Sequence, residues 1–411
     1  MGTEIHLYVG SLSVAWGKNS HFMSHTELFQ PEDLNPKIND PGYSEAFETE
    51  GYSKPLGAIL SRLELLGYTL ATAKKEYEFT EDEAGDPLKR PISFKKMCEL
   101  VRNINLHKVS GRWGPPHNPI SVPVEIIKKF QNQSVFYELN RLGEERPDDW
   151  DIGLLLHGFT PYTKIRLLAE NPANLDILVS WPFGALVEAG WAKREDFLIR
   201  PMLEPRNQFL IVTEGSSDAL ILQHALLLLE PTYADFFRFI DMGEGYPFSG
   251  TGNLFRFCQG LVSIGILNQV LNLYDNDAEG VSKYEATKKL SLPPNMVVAK
   301  LPDLAALKKI DCIGPHGKRK ADINGSAAAI ECYLDLNYKA VSSPLVRWSV
   351  YVDALNRYHG ALEHKTSYMK TFLKLINADP AYDFTKIRAV LDHIYNLCTN
   401  IADQERINRY G

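Results

Sequence analysis

Four carboxylates, Glu214, Asp218, Asp275 and Asp277, stand where two apolar runs end, each close to a glycine. The first stretch reads Phe209-Leu-Ile-Val-Thr-Glu214-Gly215-Ser-Ser-Asp218, the second Leu271-Asn-Leu-Tyr-Asp275-Asn-Asp277-Ala-Glu279-Gly280. Carboxylates gathered at one point repel one another unless a cation neutralises them. Oxygen donors of this kind, with water completing the shell, favour Mg²⁺ or Mn²⁺. The chemistry this suggests is metal-dependent attack on phosphodiesters.

The elements that must position these groups follow from the apolar pattern. Phe209 to Val212 reads as a short buried strand, with Glu214 at its end. Gly215 permits a tight turn, and Ser216 or Ser217 suits a helix N-cap. Asp218 then falls in the first helical turn, where the helix dipole favours negative charge. In the second stretch Leu271 and Leu273 belong to a strand, and Asp275 and Asp277, two apart, point to one side. Further strands are expected at Phe236 to Met242 and Met296 to Leu301, and helices up to Leu229, over Leu254 to Leu267 and over Ser282 to Leu290. The order β-α-β-α-β-α-β predicts an α/β fold with a doubly wound parallel sheet and right-handed crossovers. Ligands of such sheets sit beyond the carboxyl ends of the strands, where both acidic stretches lie.

The E-G-x-x-D segment after one strand and D-x-D-x-x-G after a later one resemble a Toprim domain over residues 206 to 335. That fold is shared by topoisomerases, bacterial primases, OLD-family nucleases and small RNA maturases. The resemblance implies that Glu214 is a metal ligand or general acid/base. It implies that Asp275 and Asp277 bind metal, joined by Asp218 as in OLD-like nucleases. Residues Met1-Gly-Thr-Glu-Ile-His-Leu-Tyr-Val-Gly-Ser-Leu-Ser-Val-Ala-Trp-Gly-Lys-Asn-Ser resemble the opening of the N-terminal module attached to HEPN or Toprim domains in bacterial anti-phage defence proteins. These resemblances imply a metal-dependent nuclease acting on DNA or RNA. Because a free nuclease would harm its host, gating is expected by a partner such as an ATPase or defence subunit, by phage material, or by assembly, as in a homo-oligomer.

The 411 residues suffice for two or three domains. No stretch reaches transmembrane length, no signal-peptide pattern opens the chain, and the five cysteines form no C-x-x-C pair. A reducing cytoplasm with buried thiols is therefore expected, and no membrane partner. The net charge of −7 disfavours a generic DNA-coating protein, so nucleic acid would be held by a local patch. His316-Gly-Lys318-Arg319-Lys320 is the first candidate, with Lys318 also placed to stabilise a transition state, and Lys283 is the second.

Four segments are expected: the N-terminal module over 1–118, a mainly helical middle region and linker over 119–205, the Toprim-like unit over 206–335 and a C-terminal helical hairpin over 336–411. The module would open with a strand at Glu4 to Val9, then carry helices from Leu56 to Gly67 and from Ser93 to Leu106, with Tyr77 to Asp86 a solvated loop. Trp150, Trp181 and Trp191 would be core or interface aromatics. The hairpin would pair a long helix from Ser343-Pro344 to Ile376 with another starting at Asp383. A rival reading is a metal-independent HEPN ribonuclease built on an Arg/His pair: Arg102 with His107, Arg357 with His364, or Arg388 with His393. Helical residues seven apart nearly share a face whereas five apart diverge by about 140°, which singles out Arg357 and His364. A third is a non-catalytic subunit that binds nucleic acid or a partner. The absence of G-x-x-x-x-G-K-[ST] removes a P-loop ATPase from this sequence.

Overall fold

The computed structural model describes residues 2–43, 45–79, 90–109, 126, 152–153, 155–199, 208–240, 251–315, 317–340 and 342–409. The chain divides into two compact units, Met1–Met202 with Asp403–Gly411, and Leu203–Ala402. The expected boundary at residue 118 thus falls inside the first unit, and the expected boundary at 335 inside the second.

The first unit is built on strands β1 (Glu4–Val9), β2 (Leu12–Lys18), β3 (Leu34–Asn39), β4 (Glu48–Pro55) and β5 (Leu178–Pro182). Their order is β2-β1-β5-β4-β3, with every neighbouring pair antiparallel. The central strand therefore comes from a region expected to be helical. Its Val179 and Trp181 are buried, but so are Ser180 and Pro182, so burial does not alternate along the strand. Helices α1 (Leu56–Leu65), α2 (Leu70–Phe79), α3 (Phe94–Val101) and α4 (Pro161–Leu168) pack the same core, and α5 (Gly184–Glu188) follows β5. Helix α1 buries Leu56, Ile59 and Leu63, the expected spacing. Ser93 caps α3 by accepting from the Lys96 N–H, and Met97, Cys98 and Val101 turn inward. Tyr77 lies buried in α2 rather than in a solvated loop, while residues 80–86 of that expected loop lie outside the described residues. Trp181 is buried, Trp191 is largely exposed, and Trp150 lies outside the described residues.

The second unit holds a wholly parallel sheet of β6 (Phe209–Val212), β7 (Phe237–Ile240), β8 (Gln269–Tyr274) and β10 (Met296–Lys300), in the order β10-β8-β6-β7. Its helices are α6 (Ser216–Leu229), α7 (Thr251–Ile264) and α8 (Ala278–Thr287). This is the alternation expected from sequence, with boundaries moved by a few residues. Strand β9 (Asn276–Asp277) pairs antiparallel with β13 (Ala327–Ala328). A second sheet of four strands, in the order β12-β11-β14-β15, comprises β11 (Ile310–Gly314), β12 (Gly317–Ala321), β14 (Val346–Val352) and β15 (Arg357–Leu362).

That sheet overturns the expected helical hairpin. Residues 346–362 form two antiparallel strands turning at Asn356, whose φ is +50°, and only then come α9 (Lys365–Phe372) and the long α10 (Thr385–Ile407). Val346, Trp348, Val350 and Val352 alternate β-branched and aromatic residues, which favour strand over helix. All five cysteines are buried and free. No helix among the described residues is long and apolar enough to cross a membrane.

Candidate functional site

The chain leaves β6 towards β7 on one side and leaves β8 towards β10 on the other, although β6 and β8 are neighbours. A sheet whose strand order reverses in this way opens a crevice at the carboxyl ends of the two central strands. Glu214 and Asp275 come from the ends of those two strands.

Backbone amides aim each of the four expected carboxylates. Glu214 Oε1 accepts the Asp275 N–H at 3.0 Å, tying one strand end to the other. Asp275 Oδ1 accepts the Ile330 N–H at 3.1 Å. Asp218 Oδ2 accepts the Gly215 N–H at 3.1 Å, so Asp218 and Gly215 close the start of α6 without a serine cap. Asp277 is itself the N-cap of α8, its Oδ1 accepting the Gly280 N–H at 2.7 Å. Gly280 has no room for a side chain. A Cβ there would run into the Asp275 carbonyl oxygen and stand 3.0 Å from Glu214 Oε1.

The electrostatics are those of crowded acids. Burial pushes Glu214 up to about 8 despite the Asp275 N–H, with Asp277, Asp218 and Glu279 adding to the rise. Burial pushes Asp218 up to about 7, followed by the charge of Glu331. Asp275 rises well above the usual carboxylate range, through burial and then the charges of Asp218, Glu214 and Asp277. Each of these groups lies within the field of the others. A recess lined by Thr213, Asp218, Asp275, Leu301 and Ile330 adjoins them.

Two residues of the cluster escaped the sequence analysis. Glu331 is 6 % exposed, and its Oε2 has no hydrogen-bond partner. Lys365, at the start of α9, places Nζ 3.7 Å from that oxygen. Burial opposes the charge on Lys365, but Glu331 and Asp275 outweigh it and raise its pKa. Neither residue sits at the end of a parallel strand, so no local pattern marks them. Asn276, between the two aspartates, is fully buried and satisfied: it donates to Asp303 Oδ1 at 2.7 Å and accepts from Lys300 Nζ and the Gly325 N–H, both at 3.0 Å.

Among the described residues no three His, Cys, Asp or Glu side chains are grouped closely enough to enclose one metal ion. The donor set nonetheless suits a hard divalent cation in kind: every donor is a carboxylate oxygen, Glu214, Asp218, Asp275 and Asp277 are half-buried, and Glu331 is buried.

The basic candidates lie elsewhere in this unit. Lys318, Arg319 and Lys320 are exposed on β12, and Lys318 pairs with Asp311 at 3.8 Å. The lysine felt by the carboxylates is Lys365. Lys283 lies 5.8 Å from the Phe255 ring, and His316 is outside the described residues.

None of the three Arg/His pairs forms a unit. Arg102 binds Glu170 at 2.8 Å while His107 meets Asp176 at 3.0 Å. Arg388 binds Glu230 at 2.9 Å, and burial lowers the pKa of His393. The helical argument for Arg357 and His364 fails, because Arg357 is in β15 and donates to the Gly325 carbonyl at 2.7 Å, while His364 sits at a left-handed position before α9.

No curated protein and no solved structure matches the chain. Residues 1–201 match the family model described as HEPN/Toprim N-terminal domain 1, a span that ends where the first unit ends and runs well past the opening residues that carry the resemblance in sequence. The first unit therefore carries a HEPN/Toprim-associated module.

Proposed function

We infer that the second unit is a metal-dependent nuclease of the Toprim kind, acting in a bacterial defence setting. The observation that carries this reading is that Glu214 and Asp275, joined through the Asp275 N–H at the carboxyl ends of neighbouring parallel strands, lie with Asp218 in one another's field, so that burial and mutual charge raise all three. The name of the matched family ties such an N-terminal domain to HEPN or Toprim domains. Of the two, a parallel sheet with an acidic carboxyl edge supports Toprim, and the dispersed Arg/His pairs give no support to HEPN.

Glu214, Asp218, Asp275, Asp277 and Glu331 would hold Mg²⁺ or Mn²⁺. In the metal-free protein Glu214, Asp218 and Asp275 favour the protonated form, so a cation would have to displace protons to bind. A bound divalent ion would supply Lewis-acid polarisation of the phosphodiester and offset charge on the leaving oxygen. Glu214, pushed up to about 8, can hold or release a proton near neutral pH at the end of β6. The Asp275 N–H fixes its orientation, and Gly280 leaves space for both. Lys365 balances part of the negative charge from the α9 side.

Cleavage of plasmid DNA, single-stranded DNA and total tRNA with Mg²⁺, Mn²⁺ or EDTA tests this, comparing wild type with Asp275→Ala. Metal-dependent cleavage lost in the variant is the expected result. Cleavage that survives both EDTA and the substitution would overturn it. Nucleic-acid binding without turnover under every metal would favour a regulatory subunit.

A further inference from the structure

The sheet β12-β11-β14-β15 presents a solvent face of its own. Lys318 lies opposite Ile313, Ile313 beside Arg347, and Arg347 opposite Ala361, while Lys320 lies opposite Asp311. These residues share one face, because side chains two apart on a strand point the same way. The other face carries Cys312, Val346 and Leu362, all buried. On the solvent face Lys318, Lys320, Arg347 and Ala361 are exposed, and a bulge between Trp348 and Val350 turns Val350, opposite His359, onto the same face, where it is 58 % exposed. Strands lie about 4.8 Å apart, so Lys318 and Arg347, two strands apart, stand roughly 10 Å from each other at the backbone.

On this face three cations, Lys318, Lys320 and Arg347, stand with two carboxylates, Asp311 and Glu363, in a chain whose net charge is −7. Glu363 takes Arg347 at 2.7 Å, and Asp311 stands 3.8 Å from Lys318. Lys320 has no ion-pair partner among the described residues.

We propose that this face binds single-stranded nucleic acid, with Lys318 and Lys320 on its phosphates. The cations supply the sequence-independent attraction. Ile313, Val350 and Ala361 interrupt them with apolar surface, which unstacked bases can cover and a closed duplex cannot. The inference names the substrate class of the nuclease site and rests on that reading for its purpose, but binding is measurable without any metal.

The test is fluorescence anisotropy of a labelled oligothymidylate, an oligouridylate and a duplex of equal length, with the full chain in EDTA over a series of salt concentrations. Single strands are expected to bind more tightly than duplex. The Lys318→Ala/Lys320→Ala variant should lose about tenfold in affinity at low salt, and its log–log salt slope should flatten by about 1.4, roughly 0.7 for each phosphate contact. Asp311→Asn, which removes the opposing carboxylate, should tighten binding. Unchanged affinity and slope in the lysine variant, a preference for duplex, or weaker binding by Asp311→Asn would each overturn the proposal. Because EDTA is present throughout, intact binding beside absent metal-dependent cleavage would sink the nuclease reading alone. Metal-dependent cleavage beside unaltered binding by the lysine variant would sink this inference alone.

Discussion

Gly280 and Asn272 show how single residues set the acidic edge. The Gly280→Ala methyl group would meet the Asp275 carbonyl and crowd Glu214 Oε1, so the start of α8 has to move away from both strand ends. We expect about 1–3 kcal/mol of destabilisation, read from denaturant midpoints, and a larger fractional loss of metal-dependent cleavage than of stability. Wild-type cleavage by Gly280→Ala would contradict this. Asn272 lies in the middle of β8, flanked in register by Val212 and Val298, fully buried, with neither side-chain polar atom hydrogen-bonded. Burying unsatisfied amide atoms costs about 1–3 kcal/mol. Asn272→Val should therefore raise the Tm, and a lowered Tm would mean that the amide has a role in folding. The four expected carboxylates were legible because each follows an apolar run with a glycine near it. Glu331 and Lys365 were not, since they reach the site through tertiary folding from a 3₁₀ turn and from the start of α9.

At the scale of elements, the strands and helices that alternate through the parallel sheet were legible, and most strands outside it were not. Strands β1, β6, β8 and β10 and helices α1, α6 and α7 lie close to where apolar spacing placed them. Strand β5 ends in a proline and buries Ser180 beside Val179 and Trp181, so it shows no contrast between an apolar inner and a polar outer face. Over residues 346–362 the apolar positions fit either repeat, and β-branched and aromatic content decides for strand. Trp348 explains why this hairpin holds: its indole lies against Gly314 on one neighbouring strand and Gly360 on the other, 2.9 and 2.6 Å from where their Cβ atoms would stand. One large ring thus covers two bare backbones. Trp348→Ala is expected to cost about 2–4 kcal/mol and to lower amide protection in β14 and β15, measured by hydrogen exchange. Protection unchanged in both strands would show that the indole does not hold the sheet.

At the scale of the whole molecule, the acids of the second unit's cluster and His25 of the first unit carry opposite pH dependences. Glu214 and Asp218 bind protons more tightly when folded, at about 8 and about 7, than in the unfolded chain, where ordinary values lie near 4. Their contribution is complete below about pH 4 and is lost as pH rises through 7 to 8 in metal-free protein. His25 in the first unit is buried beside Tyr162 and Trp181, and burial lowers it from 6.5 to about 4. Its neutral form is the folded one, so stability present above pH 6.5 falls by about 3 kcal/mol as pH drops to 4. Hydrogen exchange should therefore show β5 amides losing protection on acidification and β8 amides losing it towards pH 8. Parallel trends in the two strands would contradict the assignment. The central claim is that the carboxylates of the second unit take a divalent cation, and Mn²⁺ titration of the full chain followed by electron paramagnetic resonance tests it most directly. The account predicts saturable Mn²⁺ binding at pH 8 that weakens towards pH 6, as protons compete, and that disappears in Asp275→Asn. Equal Mn²⁺ binding by wild type and Asp275→Asn, or none by either, would contradict it.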